Sequence, residues 1–122
     1  MRFKKKKVKN FELVKGNVLE TIPKYVEKHK NLKISFLNID IDFVESTQCV
    51  LENLYDKVVK GGVICFDNYL GKYEVLFDWR KNKRVKTIYY HGETNIIRKF
   101  LKDRKRKVIF SPLYIRPSFT IK

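Results

Sequence analysis

The chain of 122 residues is long enough for one ordinary domain or for part of a larger one. Hydrophobic residues make up 43% of the sequence, which excludes the composition of a disordered protein. No apolar run approaches the roughly 18 residues of a membrane span, and the basic start lacks the apolar stretch of a secretory signal. A formal charge of +15 can attract nucleic acid. No nucleic-acid-binding motif accompanies this charge, so nucleic acid is an alternative partner and a solvated lysine-rich surface is favoured.

The two cysteines lie in separate apolar stretches of the chain. Cys49 and Cys65 are far apart in sequence, and with two histidines they give no zinc-binding spacing. The pattern favours two buried thiols over a disulfide. Because unpaired thiols persist in reducing compartments, we expect a cytoplasmic protein.

The first third of the chain alternates strand and helix patterns. Residues 1–10 form a basic N-terminal segment, and a short strand is predicted over 11–14. Apolar residues at helical spacing predict a helix over 18–29. Residues 33–39 (KISFLNI) are nearly all apolar, which is typical of a parallel strand buried on both faces.

The middle of the chain repeats this alternation. A helix is predicted from about 45 to 58, with Ser46 or Thr47 as its N-cap. Two glycines then lead into a second apolar strand over 63–66. Strands that alternate with helices predict an α/β fold with a mostly parallel sheet.

The last third begins with a segment that is basic and aromatic. Residues 69–91 are interpreted as a long irregular insertion on the side of the active site. A helix is predicted from 91 to about 102, followed by terminal strands over 108–111 and 114–121. The fold class is therefore a partial Rossmann-like sheet that ends in an antiparallel strand.

Acidic residues follow both of the apolar strands. Asp40 and Asp42 come after the first of them, and Asp67 comes after the second. Ligands of open α/β sheets bind outside the carboxyl ends of the strands, and adjacent strands lie about 4.8 Å apart. Such carboxylates can share Mg²⁺, and a spare one can accept a proton. Each aspartate alone is an ordinary loop residue, but together they favour a site.

Several segments carry a resemblance to a known family. They are residues 16–23 (GNVLETIP), 37–47 (LNIDIDFVEST), 61–64 (GGVI), 66–69 (FDNY) and 92–94 (GET). The sequence resembles the C-terminal half of the macrocin O-methyltransferase family, within the class I S-adenosylmethionine-dependent methyltransferases. The match covers most of 11–102 and is best over 33–69. It implies a magnesium-assisted methyl transfer from S-adenosylmethionine to a sugar hydroxyl of a small molecule or glycan.

The resemblance also implies roles for individual residues. Asp40, Asp67 and Asn68 correspond to metal ligands, although the family usually has an aspartate where Asn68 stands. Asp42 corresponds to the general base. Gly16, Asn17 and Asp40 correspond to residues near the methyl donor.

The first two strands of the family, which carry its glycine-rich loop, should precede residue 11. Without them the helices lie on one side of the sheet, because crossovers between parallel strands are right-handed. The sequence therefore predicts an apolar sheet face that needs a cover. A homodimer packed sheet on sheet is the leading prediction, with a separate N-terminal half or a rearrangement as alternatives. A non-catalytic module for nucleic acid or for oligomerisation is the alternative function.

Overall fold

A computed structural model describes residues 9–67, 69, 73–78, 80–88, 93–110 and 118–122. Most of the predicted basic segment, residues 1–8, lies outside this part. The helices are α1 (Val18–Lys28), α2 (Val44–Leu54) and α3 (Glu93–Asp103), with a 3-10 turn over Tyr55–Lys57. The strands are β1 (Ile34–Ile39), β2 (Val58–Phe66), β3 (Tyr73–Asp78), β4 (Lys83–Ile88), β5 (Ile109–Phe110) and β6 (Ser118–Ile121). No helix in the described ranges is long and apolar enough to cross a membrane.

The main sheet has the strand order β1-β2-β6-β5. Strands β1 and β2 are parallel, and β6 is antiparallel to both β2 and β5. It follows that β1, β2 and β5 run in one direction and β6 runs against them. The mostly parallel α/β sheet with a terminal antiparallel strand, predicted from the sequence, is confirmed.

One face of this sheet packs against helices α2 and α3. Ile39, Ile64 and Phe66 point to that face and are at most 4% exposed. They meet Leu51 of α2 and Ile97 of α3 in a single hydrophobic core. Burying apolar side chains from three elements at once is the main stabilising contribution to this half of the fold.

The opposite face of the sheet is not covered by any described element, and we call it the bare face. The register places Phe36, Val63 and Ile121 side by side on it, with Cys65 and Phe119 in the next row. Phe36 is 60% exposed and Ile121 is 47% exposed, whereas Ile39, Ile64 and Thr120 on the other face are buried. The apolar uncovered face predicted from the sequence is confirmed.

The prediction of a strand over residues 11–14 is wrong. These residues form no strand in the structure, and Phe11 and Leu13 are 62% and 84% exposed. A strand is stable only where a neighbour completes its hydrogen bonds. The described sheet ends at β1, and no described strand adjoins residues 11–14.

The predicted boundaries of the second helix need correction. The N-cap of α2 is Phe43, which makes no side-chain cap, and Ser46 and Thr47 are buried in the first turn. The helix starts early because the chain stays extended only as far as Phe43, whose carbonyl accepts the Thr47 N–H at 3.0 Å. The helix also ends at Leu54, where the 3-10 turn leads straight into β2.

The prediction that segment 69–91 is irregular is wrong for its described part. Its described part forms an antiparallel hairpin of β3 and β4. Both strands contain β-branched or aromatic residues, which favour extended backbone. Asn82 takes a left-handed conformation with φ 47° in the turn, a conformation that asparagine tolerates better than most residues.

Strand β2 carries an irregularity at its two glycines. The pairing moves from Ile34–Val58 to Phe36–Val63, so β2 has extra residues over 59–62. A Cβ atom on Gly62 would lie 2.9 Å from a backbone oxygen of Val59. Only glycine permits this close approach of two backbone segments.

Candidate active site

The site is centred on two carboxyl groups at the ends of neighbouring parallel strands. Asp40 follows β1 and Asp67 follows β2, and the register pairs Ile39 with Phe66 just before them. The Asp67 N–H donates a hydrogen bond of 3.0 Å to the Ile39 carbonyl, which continues the ladder to the strand ends. The side chains of Asp40 and Asp67 lie close enough for the Asp67 carboxyl group to act directly on that of Asp40. The structure thus brings together two of the predicted site residues.

The proximity of Asp67 changes the protonation of Asp40. The negative charge of Asp67 is the largest cause of a raised pKa at Asp40, followed by their hydrogen bond, by burial and by the charge of Asp42. Like charges this close favour a proton shared between them. The pair can therefore hold a proton, or a cation that takes the place of the proton.

Asp42 lies two residues after Asp40, and its charge also acts on the Asp40 carboxyl group. Its side chain is exposed, and its charge has the smallest of the four effects on the Asp40 pKa. Across the described ranges, no three His, Cys, Asp or Glu side chains cluster in a metal-binding arrangement. Asn68, a predicted metal ligand, lies outside the described residues.

The predicted donor residues lie at the start of α1. Gly16 has φ 140°, and a Cβ atom there would approach Thr21 Cγ2 to 2.7 Å, so the turn requires glycine. The Asn17 side chain caps the helix by accepting a 3.0 Å hydrogen bond from the Leu19 N–H. Asn17 therefore has a structural role in positioning this turn.

An open cleft of about 610 Å³ lies where the first turns of α1 and α2 approach each other. Asn17 and Leu19 line one side, and Phe43, Val44 and Glu45 line the other. Phe43 follows Asp42 directly, so the cleft adjoins the acidic strand ends. Its apolar members are unusually exposed, with Phe43 at 72% and Leu19 at 39%.

These apolar residues were missed by the sequence analysis. Leu19, Phe43 and Val44 could have been noticed because each lies within two residues of a predicted site residue. Exposed apolar surface beside polar groups is typical of a ligand-binding cleft. The described cleft can accept a flat apolar ring, with Glu45 available as a hydrogen-bond acceptor.

The two cysteines do not belong to this site chemically. Both are free and partly exposed, so the prediction of unpaired thiols is confirmed and their predicted full burial is not. Burial raises the pKa of the Cys65 thiol, and the charge of Asp67 adds to this effect. A thiol with a raised pKa is a poor nucleophile at neutral pH.

The fold and the site define a class of protein: an α/β domain with acids at the carboxyl ends of parallel strands and a ligand cleft beside them. Comparison with known families narrows this class. The macrocin O-methyltransferase (TylF) family matches residues 4–93. The chain belongs to this family.

Two solved structures share the fold. One is the apo structure of CalS11, described as a TDP-rhamnose 3'-O-methyltransferase of calicheamicin biosynthesis, with 25% identity and a TM-score of 0.64. The match covers 88% of this chain and 40% of that one. The other, CalS11 described as calicheamicin methyltransferase, has 26% identity and a TM-score of 0.65 over 88% and 36% of the two chains. The chain thus spans well under half of these proteins. No curated protein matches it.

Proposed function

We propose that the chain forms the acidic half of an S-adenosylmethionine-dependent O-methyltransferase that acts on a sugar hydroxyl of a small molecule. The observation that carries the proposal is the Asp40–Asp67 pair at two parallel strand ends, next to a cleft at the start of α1. Family membership and the similarity to CalS11 support it. The acceptor follows from the description of CalS11, which acts on a nucleotide-linked sugar.

Asp42 is the proposed general base. Its carboxylate is exposed at the strand end, where a bound substrate can reach it. The bound donor supplies a methyl group activated by its sulfonium. Asp42 takes the proton of the sugar hydroxyl while the oxygen bonds to the methyl carbon and the carbon–sulfur bond breaks.

Asp40 and Asp67 are the proposed ligands of Mg²⁺. Two carboxylates this close fit a divalent cation, because the positive charge of the cation removes their repulsion. Asn68 is the proposed third ligand, through its amide oxygen. A cation held there would lower the pKa of the sugar hydroxyl and so assist Asp42.

The cleft beside the acids is the proposed site for the adenosine part of the donor. Phe43 and Leu19 offer apolar surface to the flat base. Gly16 keeps the turn before α1 free of side-chain atoms, and Asn17 holds the turn in place. Asp40, three residues before Phe43, is the proposed contact to the donor on the side of the acidic strand ends.

The bare face and the outer edge of β1 require further polypeptide for a complete donor pocket. A second copy, the leading prediction from the sequence, carries the same charge of +15, and like charges oppose association. CalS11 extends well beyond the matched region. We therefore favour a cover that corresponds to the part of CalS11 outside the match, and a homodimer becomes the second choice.

The test is titration of the purified chain with S-adenosylmethionine, with and without Mg²⁺, alone and mixed with the unmatched part of CalS11. The proposal expects saturable donor binding in at least one mixture and methyl transfer to TDP-rhamnose. Asp42→Asn should abolish transfer and leave donor binding intact. Asp56→Asn, an exposed aspartate on the 3-10 turn, is the control with the same change of charge. Absence of donor binding in every mixture contradicts the proposal.

A further inference from the structure

A second, strongly basic groove lies beside the C-terminal half of α3. It has a volume of about 350 Å³. Its cationic lining residues are Arg98, Lys102, Lys105, Arg106 and Lys107. No carboxylate of the described chain lines it. We call it the basic groove, and its excess of positive charge indicates an anionic ligand.

Tyr69 forms one wall of the basic groove. Its side chain is only 4% exposed, and its ring packs 6.3 Å from that of Phe66, measured between centroids. The Tyr69 hydroxyl accepts a 3.2 Å hydrogen bond from Arg98 Nε, which orients the guanidinium. The cations of residues 105–107 come from the opposite wall, between the end of α3 and the start of β5.

The end of α3 positions Lys105 at a conformational cost. The Lys105 N–H donates to the Lys102 carbonyl at 3.0 Å, and the Arg106 N–H donates to the Leu101 carbonyl at 2.9 Å. This pair of bonds forms a Schellman motif, whose left-handed position normally holds glycine. Lys105 occupies that position with φ 55°. A lysine there is strained, since its Cβ atom crowds the backbone.

Stabilisation of the C-terminus of α3 does not by itself explain why so many cations lie there. Positive charge near a helix C-terminus is stabilising, and Lys102 in the last turn already supplies it. Glycine at position 105 would relieve the strain and complete the same motif. The charge of Lys105 therefore points to a use outside the helix, as do the further charges of Arg106 and Lys107 on the same groove.

We propose that the basic groove binds the diphosphate group of a small-molecule ligand. The site stands on the groove's own cations and is separate from the acidic strand ends. Lysine ammonium groups supply point charges there, and the arginines can donate two hydrogen bonds to one phosphate.

The test is titration of the full chain with inorganic pyrophosphate, in the absence of any methyl donor. Isothermal titration calorimetry measures the binding. The proposal expects one saturable site, weakened at higher salt. The double variant Arg106→Gln/Lys107→Gln should bind pyrophosphate at least roughly tenfold more weakly, since each charge-assisted contact contributes about that factor. Lys24→Gln/Lys33→Gln removes the same charge from exposed positions on α1 and before β1, and it should bind like the unmodified chain.

A second variant separates a role in binding from a role in folding. Lys105→Gly should raise the melting temperature, because glycine accepts the left-handed conformation, and should still weaken pyrophosphate binding. Unchanged affinity in this variant, or equal weakening in both double variants, overturns the proposal. Tight binding of a single-stranded oligonucleotide without a saturable pyrophosphate site also overturns it, in favour of a nucleic-acid surface.

These outcomes are independent of methyl transfer. Pyrophosphate binding in a chain that never binds S-adenosylmethionine would leave the anion site standing and contradict the proposed function. Donor binding and methyl transfer to a phosphate-free sugar, without pyrophosphate binding, would support the proposed function and contradict the anion site.

Discussion

The carboxyl groups of Asp40 and Asp67 lie next to each other, although each belongs to a different strand end. The backbone fixes this contact, because β1 and β2 are paired up to Ile39 and Phe66. Two carboxylates in this position repel each other when both are ionised. A fold that keeps them together sacrifices stability at neutral pH, as active sites commonly do.

The first prediction concerns the pH dependence of stability. The raised pKa of Asp40 means that the folded chain binds a proton more tightly than the unfolded chain does. This contribution to stability is fully present below the unfolded pKa of about 3.9 and is lost as the pH rises through the raised folded pKa. Asp67→Asn removes the main cause, so it should raise the melting temperature at neutral pH and leave it nearly unchanged at low pH.

Thermal melts from about pH 4 to neutral pH, measured by circular dichroism, test this prediction. Asp56→Asn is again the control and should show no such pH-dependent gain. If Asp67→Asn were no more stable than the control at neutral pH, the repulsion between Asp40 and Asp67 would not limit stability.

The second prediction concerns magnesium. A cation bound to the folded chain but not to the unfolded chain raises the melting temperature by mass action. Millimolar Mg²⁺ should therefore stabilise the unmodified chain and should have less effect on Asp40→Asn, which lacks one ligand charge. Sodium chloride at matched ionic strength separates binding from screening. An equal shift in both proteins would argue against Asp40 as a ligand.

The third prediction contrasts the two faces of the sheet. Ile64 is fully buried on the helix side, so Ile64→Ala should cost about 2–5 kcal/mol in the free energy of unfolding. Phe36 is 60% exposed on the bare face, so Phe36→Ser should cost far less. Urea denaturation measures both changes.

Phe36→Ser should also reduce the binding of an apolar dye and any self-association at high concentration, because it removes apolar surface from the bare face. Sedimentation velocity follows the association. A stability loss at Phe36 as large as that at Ile64 would show that the bare face is covered within the chain itself.

The fourth prediction concerns the glycine irregularity of β2. Gly62→Ala places a methyl group 2.9 Å from the Val59 carbonyl oxygen and 3.2 Å from that of Ser35. Backbone atoms cannot move aside as a flexible side chain does, so we expect a loss of about 1–3 kcal/mol in the free energy of unfolding. Lys60→Ala at the exposed neighbouring position should stay within about 0.5 kcal/mol of the unmodified chain. Similar stability of the two variants would contradict the tight approach.

The fold class and the two central strands with their acidic ends could be predicted from the amino-acid sequence. Apolar runs such as residues 33–39 are local signals, because a strand buried on both faces needs apolar side chains at nearly every position. The predicted pairing of Asp40 with Asp67 followed from the same logic. Strands that are parallel neighbours end at the same edge of the sheet.

Features that depend on contact with a neighbouring element could not be predicted from local sequence patterns. Residues 11–14 have a strand-like pattern, yet they form no strand because no described strand lies beside them. Phe43 rather than Ser46 became the N-cap of α2, since the extent of the extended backbone sets where the helix can begin. The basic groove joins Tyr69 to the distant end of α3, and only the packing of α3 beside the sheet brings those charges together.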